Sequence, residues 1–395
     1  MNSRVLLMAL VAMCAPVLAQ DQKAPTFQAA INYVEFSVRV VDARGQFVRN
    51  LQQSDFRVFE DGRPQTIARF QLVDLPIPDA KAVTVPSTGA AELLSTEALQ
   101  QLDGRLYIFL LDDYHLPSEH SSRARAIVGS FIRERMGPND AAMFVFASGV
   151  QGQAFTQDRK LLLSAVDRFR GILDYREPAQ VKEIKARGVV RTMTDLAAAV
   201  EPIQGRRKAL VYVGMSIGCL VAHETSPHRD AGFAVDKSRV NLSAAGTGEA
   251  ENASVKVQCR DEISQAVRGL TRAGTVVYSL DPRGGSHNPA WVSPTVDGRG
   301  GPGPAQNRMS LVEAGRPSVF DGFNVLADQT GGFAVSGTSA FNPVLDRIVL
   351  ENSSYYVVGY YSTNETANGE FRKNEITLSQ DRFKAFYRPG YFAPR

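Results

Sequence analysis

A short glycine- and serine-containing motif that follows an apolar run contains one candidate nucleophile, Ser216. Gly214-Met215-Ser216-Ile217-Gly218 follows the residues Ala209 to Val213, which have the composition of a buried strand. A serine on a sharp turn directly after a strand is exposed for nucleophilic attack when an acid and a histidine follow later in the chain. Asp281 could supply the acid and His287 the base. This pattern indicates acyl transfer as one candidate chemistry.

The surroundings of Ser216 argue against this chemistry. Asp281 and His287 are only six positions apart, which is short for the loops that carry such a pair. The chain contains no HGGG-type oxyanion loop, no phosphate-binding P-loop and no H-E-x-x-H zinc motif. A secreted α/β serine hydrolase that uses Ser216 therefore stays the alternative to a non-enzymatic function.

Composition and charge restrict the class of protein. The 395 residues are 44% hydrophobic and 22% charged, which excludes a fully disordered chain. The formal net charge of +3 gives no reason to expect a nucleic-acid partner.

The N-terminus predicts export. Arg4 precedes a short apolar run over Val5 to Met13, and a small-residue cleavage site follows near Ala19. This is the pattern of a signal peptide covering residues 1–19, so we expect a periplasmic or secreted protein. Lipid anchoring at Cys14 is an alternative, and no later stretch is long and apolar enough to suggest a transmembrane helix.

Two cysteines remain after the expected cleavage. Cys219 and Cys259 are an even number of cysteines in an exported chain, which suggests one disulfide between them. The alternative is that both are buried free thiols. Their spacing has no second Cys or His pair nearby and therefore gives no zinc signal.

The two ends of the chain read as strands and the middle as alternating strands and helices. We predict an N-terminal β-module over residues 30–75, a linker over 76–100, an α/β domain over 101–351 and a C-terminal β segment over 352–395. Two insertions, 221–256 and 283–317, interrupt the α/β domain.

Hydrophobic periodicity supports this α/β domain. The continuous apolar run Leu106 to Leu111 is typical of a central parallel strand. Apolar residues at helical spacing follow it, and the same unit recurs along the chain. Repeated β-α-β units predict a doubly wound parallel sheet with helices on both faces.

The end segments resemble a specific bacterial family. Leu51, Asp55-Phe56 and Glu60-Asp61-Gly62 are similar to the opening signature of the exported von Willebrand factor type A-related domain proteins found in Acidobacteria. Tyr356 to Tyr360 and Arg388-Pro389-Gly390-Tyr391-Phe392 resemble its closing signature. The resemblance implies a Rossmann-like A domain, a flanking β-module built from both chain ends, and no catalytic activity.

The resemblance also implies a metal-ion-dependent adhesion site, which this chain matches only in part. Asp112 matches the first aspartate of the family's Asp-x-Ser-x-Ser motif, but Tyr114 and Leu116 occupy the two serine positions. Ser118 is the nearest hydroxyl, and Thr194 matches the family's threonine loop, although each could equally cap a helix. The ligand set that the resemblance implies for Mg²⁺ or Ca²⁺ is therefore Asp112, Ser118 and Thr194.

Neighbouring residues leave two further readings of this site. Gly214-Met215-Ser216 stands where the family's third-loop aspartate is expected, and Asp113 is one substitute for a lost ligand. His115 and His120 suggest a transition-metal site, but we read them as surface histidines. The sequence as a whole predicts a non-enzymatic adhesion or scaffolding protein that binds a protein or an extracellular polymer and needs no cofactor.

Overall fold

The computed structural model describes residues 32–78, 94–149, 152–215, 261–284, 291–292 and 321–394. The expected signal peptide, Cys14, both later cysteines, Ser216, His287 and the insertion 221–256 lie outside the described residues, as does most of the insertion 283–317. None of the described helices combines the length and the apolar character that crossing a membrane requires.

Strands from the two ends of the chain pair with one another in two four-stranded sheets. The N-terminal strands are β1 (Tyr33–Val41), β2 (Phe56–Glu60), β3 (Arg63–Gln65) and β4 (Ile67–Asp74), and the C-terminal strands are β12 (Ser354–Tyr361), β13 (Phe371–Leu378), β14 (Lys384–Phe386) and β15 (Gly390–Phe392). One sheet has the order β14-β1-β12-β4 and the other β15-β13-β2-β3. Every pairing in them is antiparallel.

These two sheets share one hydrophobic core. Burial alternates along β13 and β2, as expected for strands with one face inside. The rings of Phe56 and Tyr356, one from each sheet, lie 5.3 Å apart, and Val38 and Ile376 belong to the same buried cluster. The N- and C-terminal segments therefore form one β-sandwich.

A seven-stranded sheet forms the middle of the chain. Its strands are β5 (Leu106–Leu111), β6 (Ala141–Phe146), β7 (Gln153–Thr156), β8 (Lys208–Val213), β9 (Thr275–Leu280), β10 (Trp291–Val292) and β11 (Phe333–Val335). The order is β10-β11-β9-β8-β5-β6-β7. The five inner strands are parallel, whereas β7 and β10 pair antiparallel at the two edges. The sheet is thus mixed rather than wholly parallel as the sequence suggested.

Helices cover both faces of this sheet. They are α1 (Thr96–Gln101), α2 (Ser121–Glu134), α3 (Arg159–Asp167), α4 (Ala179–Val200), α5 over residues 261–272, α6 (Asp321–Thr330) and α7 (Asn342–Ser353). Alternate residues of β5 point to opposite faces, where Ile108 packs with α4, α5 and α6, and Phe109 packs with α2, α3 and α7. An α/β fold is confirmed.

The linker expected over 76–100 ends earlier in the structure. Ser95 caps α1 by accepting a hydrogen bond from the Ala98 amide, and Leu99 is buried in the core of the α/β domain. Leu94 and Leu102 pack against the same core, so apolar contacts anchor the end of a segment whose Pro, Ala and Ser content suggested a linker.

Candidate functional site

The ends of three neighbouring parallel strands meet at one edge of the large sheet. Asp112 follows β5, Gly214 follows β8 and Asp281 follows β9. Their backbones stay in register, because the Asp112 amide donates to the Val213 carbonyl at 2.9 Å and the Gly214 amide donates to the Leu280 carbonyl at 3.1 Å. Open α/β sheets bind ligands at this edge, which we call the rim.

Asp112 is the centre of a buried hydrogen-bond network at the rim. Its side chain has no solvent exposure. The Tyr212 hydroxyl donates to its Oδ2 at 2.5 Å, and His115 Nδ1 lies 2.8 Å from the same oxygen. The His115 amide donates to Oδ1 at 3.1 Å. Three donors therefore satisfy a carboxylate that has left water, as a buried charge requires.

His115 is held in one orientation by this network. Because Asp112 accepts from Nδ1, the ring proton of the neutral imidazole sits on Nδ1, and Nε2 is left as the second polar atom. Nε2 is buried and has no hydrogen-bond partner among the residues that the structure describes. Burial lowers the pKa of His115, but attraction to Asp112 outweighs it, so the pKa is raised above its usual value. With a side chain only 13% exposed, His115 is not the surface histidine that the sequence suggested.

Asp113 has a different environment from its neighbour. It is buried, and its side chain accepts a hydrogen bond from the Ser148 amide at 2.9 Å. Its carbonyl accepts from the Ile172 amide at 2.8 Å, which ties the rim to the segment before α4. Burial raises the pKa of Asp113, whose hydrogen bonds to Ser148 only partly offset the loss of water.

Close packing against Asp112 explains the first glycine of the glycine- and serine-containing motif. A Cβ built on Gly214 would lie 2.8 Å from the Asp112 Cβ and 2.7 Å from the Tyr212 hydroxyl oxygen. Any side chain here would push apart the two residues that form the network. The motif's Gly214 is thus required by packing, whatever Ser216 does.

The residues expected to bind a metal do not fit a metal-ion-dependent adhesion site. Asp112 is already engaged by three donors, and Leu116 in a serine position is fully buried. Ser118 is exposed and begins a 3-10 turn over Ser118–His120. Within the described ranges, no three His, Cys, Asp or Glu side chains converge as a metal-binding set.

Thr194 lies in a helix rather than in a loop. It falls within the long helix α4, and its hydroxyl donates to the Val190 carbonyl at 3.1 Å, one helical turn earlier. The prediction that Thr194 lies in a loop is wrong, because the helix begins at Ala179. The sequence showed helical spacing of apolar residues only from Leu196 onward. The same placement excludes the helix-capping reading of Thr194.

The acid of the hydrolase alternative is occupied. Asp281 is buried and binds Arg283 through two oxygens, with Arg283 Nη2 2.6 Å from Oδ2 and Nε 3.0 Å from Oδ1. Ser216 and His287 lie outside the described residues. The geometry therefore contributes nothing toward a serine relay at this acid.

Sequence reasoning missed Tyr212 and underrated His115. Tyr212 is the fifth of six residues in a fully buried strand, so its ring reads as core. One feature could have revealed Tyr212: it carries a polar hydroxyl one residue before the carboxyl end of β8, and β8 pairs with β5, the strand that precedes Asp112.

Apolar side chains lie exposed beside the rim. Ile172, Tyr175 and Ile184 are 46%, 59% and 71% exposed. Ile172 is hydrogen bonded to Asp113 through its amide, and Lys182 from the first turn of α4 donates to the Tyr175 carbonyl at 2.7 Å. We call these three residues the rim patch. Exposed apolar side chains near polar residues are a usual feature of binding surfaces.

Comparisons with known proteins give only distant likenesses. No protein-family model matches the chain, and no curated protein sequence matches it. An aerotolerance-related membrane protein from Bacteroides fragilis matches 63% of this chain and 98% of its own, with a TM-score of 0.35 and 11% identity.

Two further solved structures are similar at the same low level. The conserved hypothetical protein BatB from Bacteroides thetaiotaomicron matches 63% of this chain and 97% of its own, with a TM-score of 0.35 and 14% identity. The human COPII-coat protein Sec24c covers 76% of this chain and 45% of its own, with a TM-score of 0.28 and 8% identity. TM-scores this low do not by themselves assign a fold, so the architecture rests on the strand order and packing given above.

Proposed function

We propose that this is an exported, non-enzymatic adhesion or scaffolding protein whose von Willebrand A-like domain docks a partner at the rim. The partner is an envelope protein or an extracellular polymer. The sheet order with helices on both faces supports an A-like domain, and the N-terminal signal-peptide pattern supports a periplasmic or secreted location.

The observation that carries the proposal is the rim patch. Ile172, Tyr175 and Ile184 expose apolar surface. Ile172 is hydrogen bonded to Asp113 at the rim, and Ile184 precedes Lys185, whose ammonium lies over the Tyr114 ring. Tyr114 lies close by, with the Lys185 ammonium 5.5 Å from its ring centre. Such a mixture of aromatic, aliphatic and cationic groups suits a protein partner.

Docking at this rim does not use a divalent cation. The oxygens of Asp112 accept from Tyr212 and from two donors of His115, so a cation would have to displace them. Hard cations such as Mg²⁺ and Ca²⁺ need several oxygen ligands, and Tyr114 and Leu116 supply none at the expected serine positions. The partner is therefore recognised by apolar contact and hydrogen bonding.

Capture from an envelope extract tests the proposed surface with matched variants. Ile184→Asp places a charge in the rim patch, whereas Leu350→Asp places one on α7, which covers the other face of the sheet. Leu350 is 41% exposed, so both substitutions are tolerated by folding. We expect the wild-type protein and Leu350→Asp to capture the same species and Ile184→Asp to lose it. Equal capture by all three proteins would contradict docking at the rim patch.

An ester panel separates this proposal from the hydrolase alternative. We expect no turnover of short-chain and long-chain esters by the wild-type protein. Hydrolysis that disappears in Ser216→Ala would overturn the non-enzymatic function.

A further inference from the structure

A cluster of arginines lies where the β-sandwich meets the amino-terminal edge of the large sheet. Arg39 comes from β1, Arg207 precedes β8, and Arg347 and Glu351 lie on α7. Arg207 stands at the start of β8 whereas the rim follows its end, so the two sites are at opposite edges. We call these four residues the arginine crevice.

Arg207 is fixed in place by neutral groups. Its Nε donates to the Asn352 side-chain oxygen at 3.0 Å, and its Nη2 donates to the Tyr278 hydroxyl at 3.1 Å. Its guanidinium also lies over the ring of Tyr355, 5.4 Å from the ring centre. None of these contacts neutralises its charge, so Arg207 is an oriented cation.

Glu351 is already engaged. Arg347 donates to it from Nε at 2.8 Å, and the Arg347 guanidinium lies 4.1 Å from the ring centre of Phe333. The side chain of Glu351 is only 14% exposed. This carboxylate attracts Arg39 through space but forms no hydrogen bond with it.

Arg39 is the unsatisfied member of the crevice. Val38 pairs with Tyr356, so Arg39 comes next along β1 opposite Tyr355, the residue whose ring lies under the Arg207 guanidinium. The Arg39 guanidinium makes no hydrogen bond or ion pair with a described residue, and its Nε is buried. Burial lowers the pKa of Arg39. Attraction to Glu351 and Tyr278 opposes this shift, and the weaker repulsion from Arg207 and Arg347 adds to it. A buried donor without an acceptor costs free energy, and an oxyanion would supply that acceptor to the Arg39 Nε.

We propose that the arginine crevice binds a small oxyanion between the guanidinium groups of Arg39 and Arg207. Guanidinium forks match the paired oxygens of phosphate and carboxylate groups, and such charge-assisted bonds are the stronger kind. Because Arg39 belongs to the β-sandwich and Arg207 to the α/β domain, the anion also links the two parts of the chain. This site is independent of the rim and of the function proposed there.

Calorimetric titration of the full-length protein tests the site with two probes. Inorganic phosphate and acetate are titrated separately, each against sodium chloride at the same ionic strength. We expect saturable binding of at least one probe, and the stronger probe identifies whether phosphate or carboxylate is the preferred group. Absence of saturable binding for both would overturn the proposal.

Three variants assign the binding to Arg39. Arg39→Gln removes the charge and should weaken binding by about tenfold or more. Arg39→Lys keeps the charge but loses the fork, so it should fall between Arg39→Gln and the wild type. Arg57→Gln, at an exposed arginine on β2, is the matched control and should bind within about twofold of the wild type.

Thermal unfolding keeps the proposal testable if Arg39→Gln alters the fold. Without anion, Arg39→Gln should be at least as stable as the wild type, because it removes a part-buried guanidinium that makes no hydrogen bond or ion pair with a described residue. Added probe should raise the Tm of the wild type and not that of Arg39→Gln. An equal rise in both proteins would contradict the assignment to Arg39.

Discussion

The Tyr212 hydroxyl donates to Asp112 at 2.5 Å, from the strand next to the one that Asp112 follows. The bond joins the ends of β8 and β5 at the rim, and both side chains are fully buried. It occupies the carboxylate that the sequence assigned to a metal. The hydrogen bond therefore accounts for the misfit of a cation at the rim.

Removing this hydroxyl should destabilise the protein. Tyr212→Phe leaves the buried Asp112 charge with fewer donors, so we expect a loss of about 1–3 kcal/mol in the free energy of unfolding. Tyr107→Phe is the matched control, because the Tyr107 hydroxyl is buried and makes no hydrogen bond with a described residue. Urea denaturation should show Tyr107→Phe equal to the wild type or more stable. Equal losses in both variants would refute the role of the Asp112 bond.

The two adjacent aspartates should respond oppositely to amide substitution. Asp112→Asn turns one acceptor into a donor that faces Tyr212 and His115, so we expect a loss of about 2–4 kcal/mol. Asp113→Asn keeps an acceptor for the Ser148 amide and removes a charge that burial disfavours.

The stability gain from Asp113→Asn should depend on pH. Burial raises the pKa of Asp113 in the folded protein, so ionised Asp113 weakens the wild type above that pKa. The variant should be the more stable protein at pH 7, and the difference should shrink as pH falls toward the unfolded-state value of 3.8. Denaturation curves from pH 3 to 7 measure this difference; one that does not change with pH would count against the assignment.

His115 should stabilise the fold mainly at acidic pH. Its pKa is raised in the folded state, because attraction to Asp112 outweighs the cost of burial. Its contribution is therefore fully present below the unfolded value of 6.5 and is lost as pH rises through the folded value.

Denaturation of His115→Gln across pH 5 to 8 checks this dependence. The variant should lose most stability at pH 5 and progressively less above pH 6.5. His120→Gln is the control, since His120 ends the 3-10 turn and its ring makes no hydrogen bond with a described residue. A loss that is constant with pH would show that His115 acts by packing alone.

Lys208 should be essential at the other edge of the sheet. Its buried ammonium donates to the carbonyls of Ile203, Arg206 and Ala273 at 2.5, 3.1 and 2.6 Å. Lys208→Met leaves these acceptors without their donor, so we expect a loss of about 2–4 kcal/mol. The exposed Lys160→Met should change stability by less than about 0.5 kcal/mol.

The effect of Lys208→Met should also grow at alkaline pH. Burial lowers the pKa of Lys208 to about 8. The unfolded chain then binds the extra proton above pH 8, so the wild type gains stability from Lys208 as pH rises toward 10. The gap between wild type and variant, measured by denaturation at pH 7, 8.5 and 10, should widen. A gap that narrows would contradict a lowered pKa of Lys208 in the folded protein.

Strands that are buried along their whole length were predicted correctly from the sequence. The apolar run Leu106 to Leu111 is a central parallel strand because both of its faces are covered by helices. The edge strand β7 was not predicted. It has only four residues, Gln153–Thr156, and a hydrophobic pattern this short cannot be distinguished from that of a loop. Its antiparallel pairing depends on β6, which lies beside it only after folding.

The site was predicted less well than the fold because its partners are set by tertiary contacts. Asp112 follows a strand, so its place at the rim could be read from the sequence. Its engagement by Tyr212 could not, since these residues are 100 positions apart and Tyr212 resembles a core residue. Thr194 was misplaced because a local motif match was given more weight than the helix that contains it.

The central claim is that the rim docks its partner without a divalent cation. The species captured by the wild-type protein is purified, and its equilibrium binding is measured in EDTA and in buffer with Mg²⁺ and Ca²⁺. We predict the same Kd in both buffers for the wild type, and loss of binding in both for Ile184→Asp. Binding that requires the added cations, or that Ile184→Asp retains in full, would contradict the account.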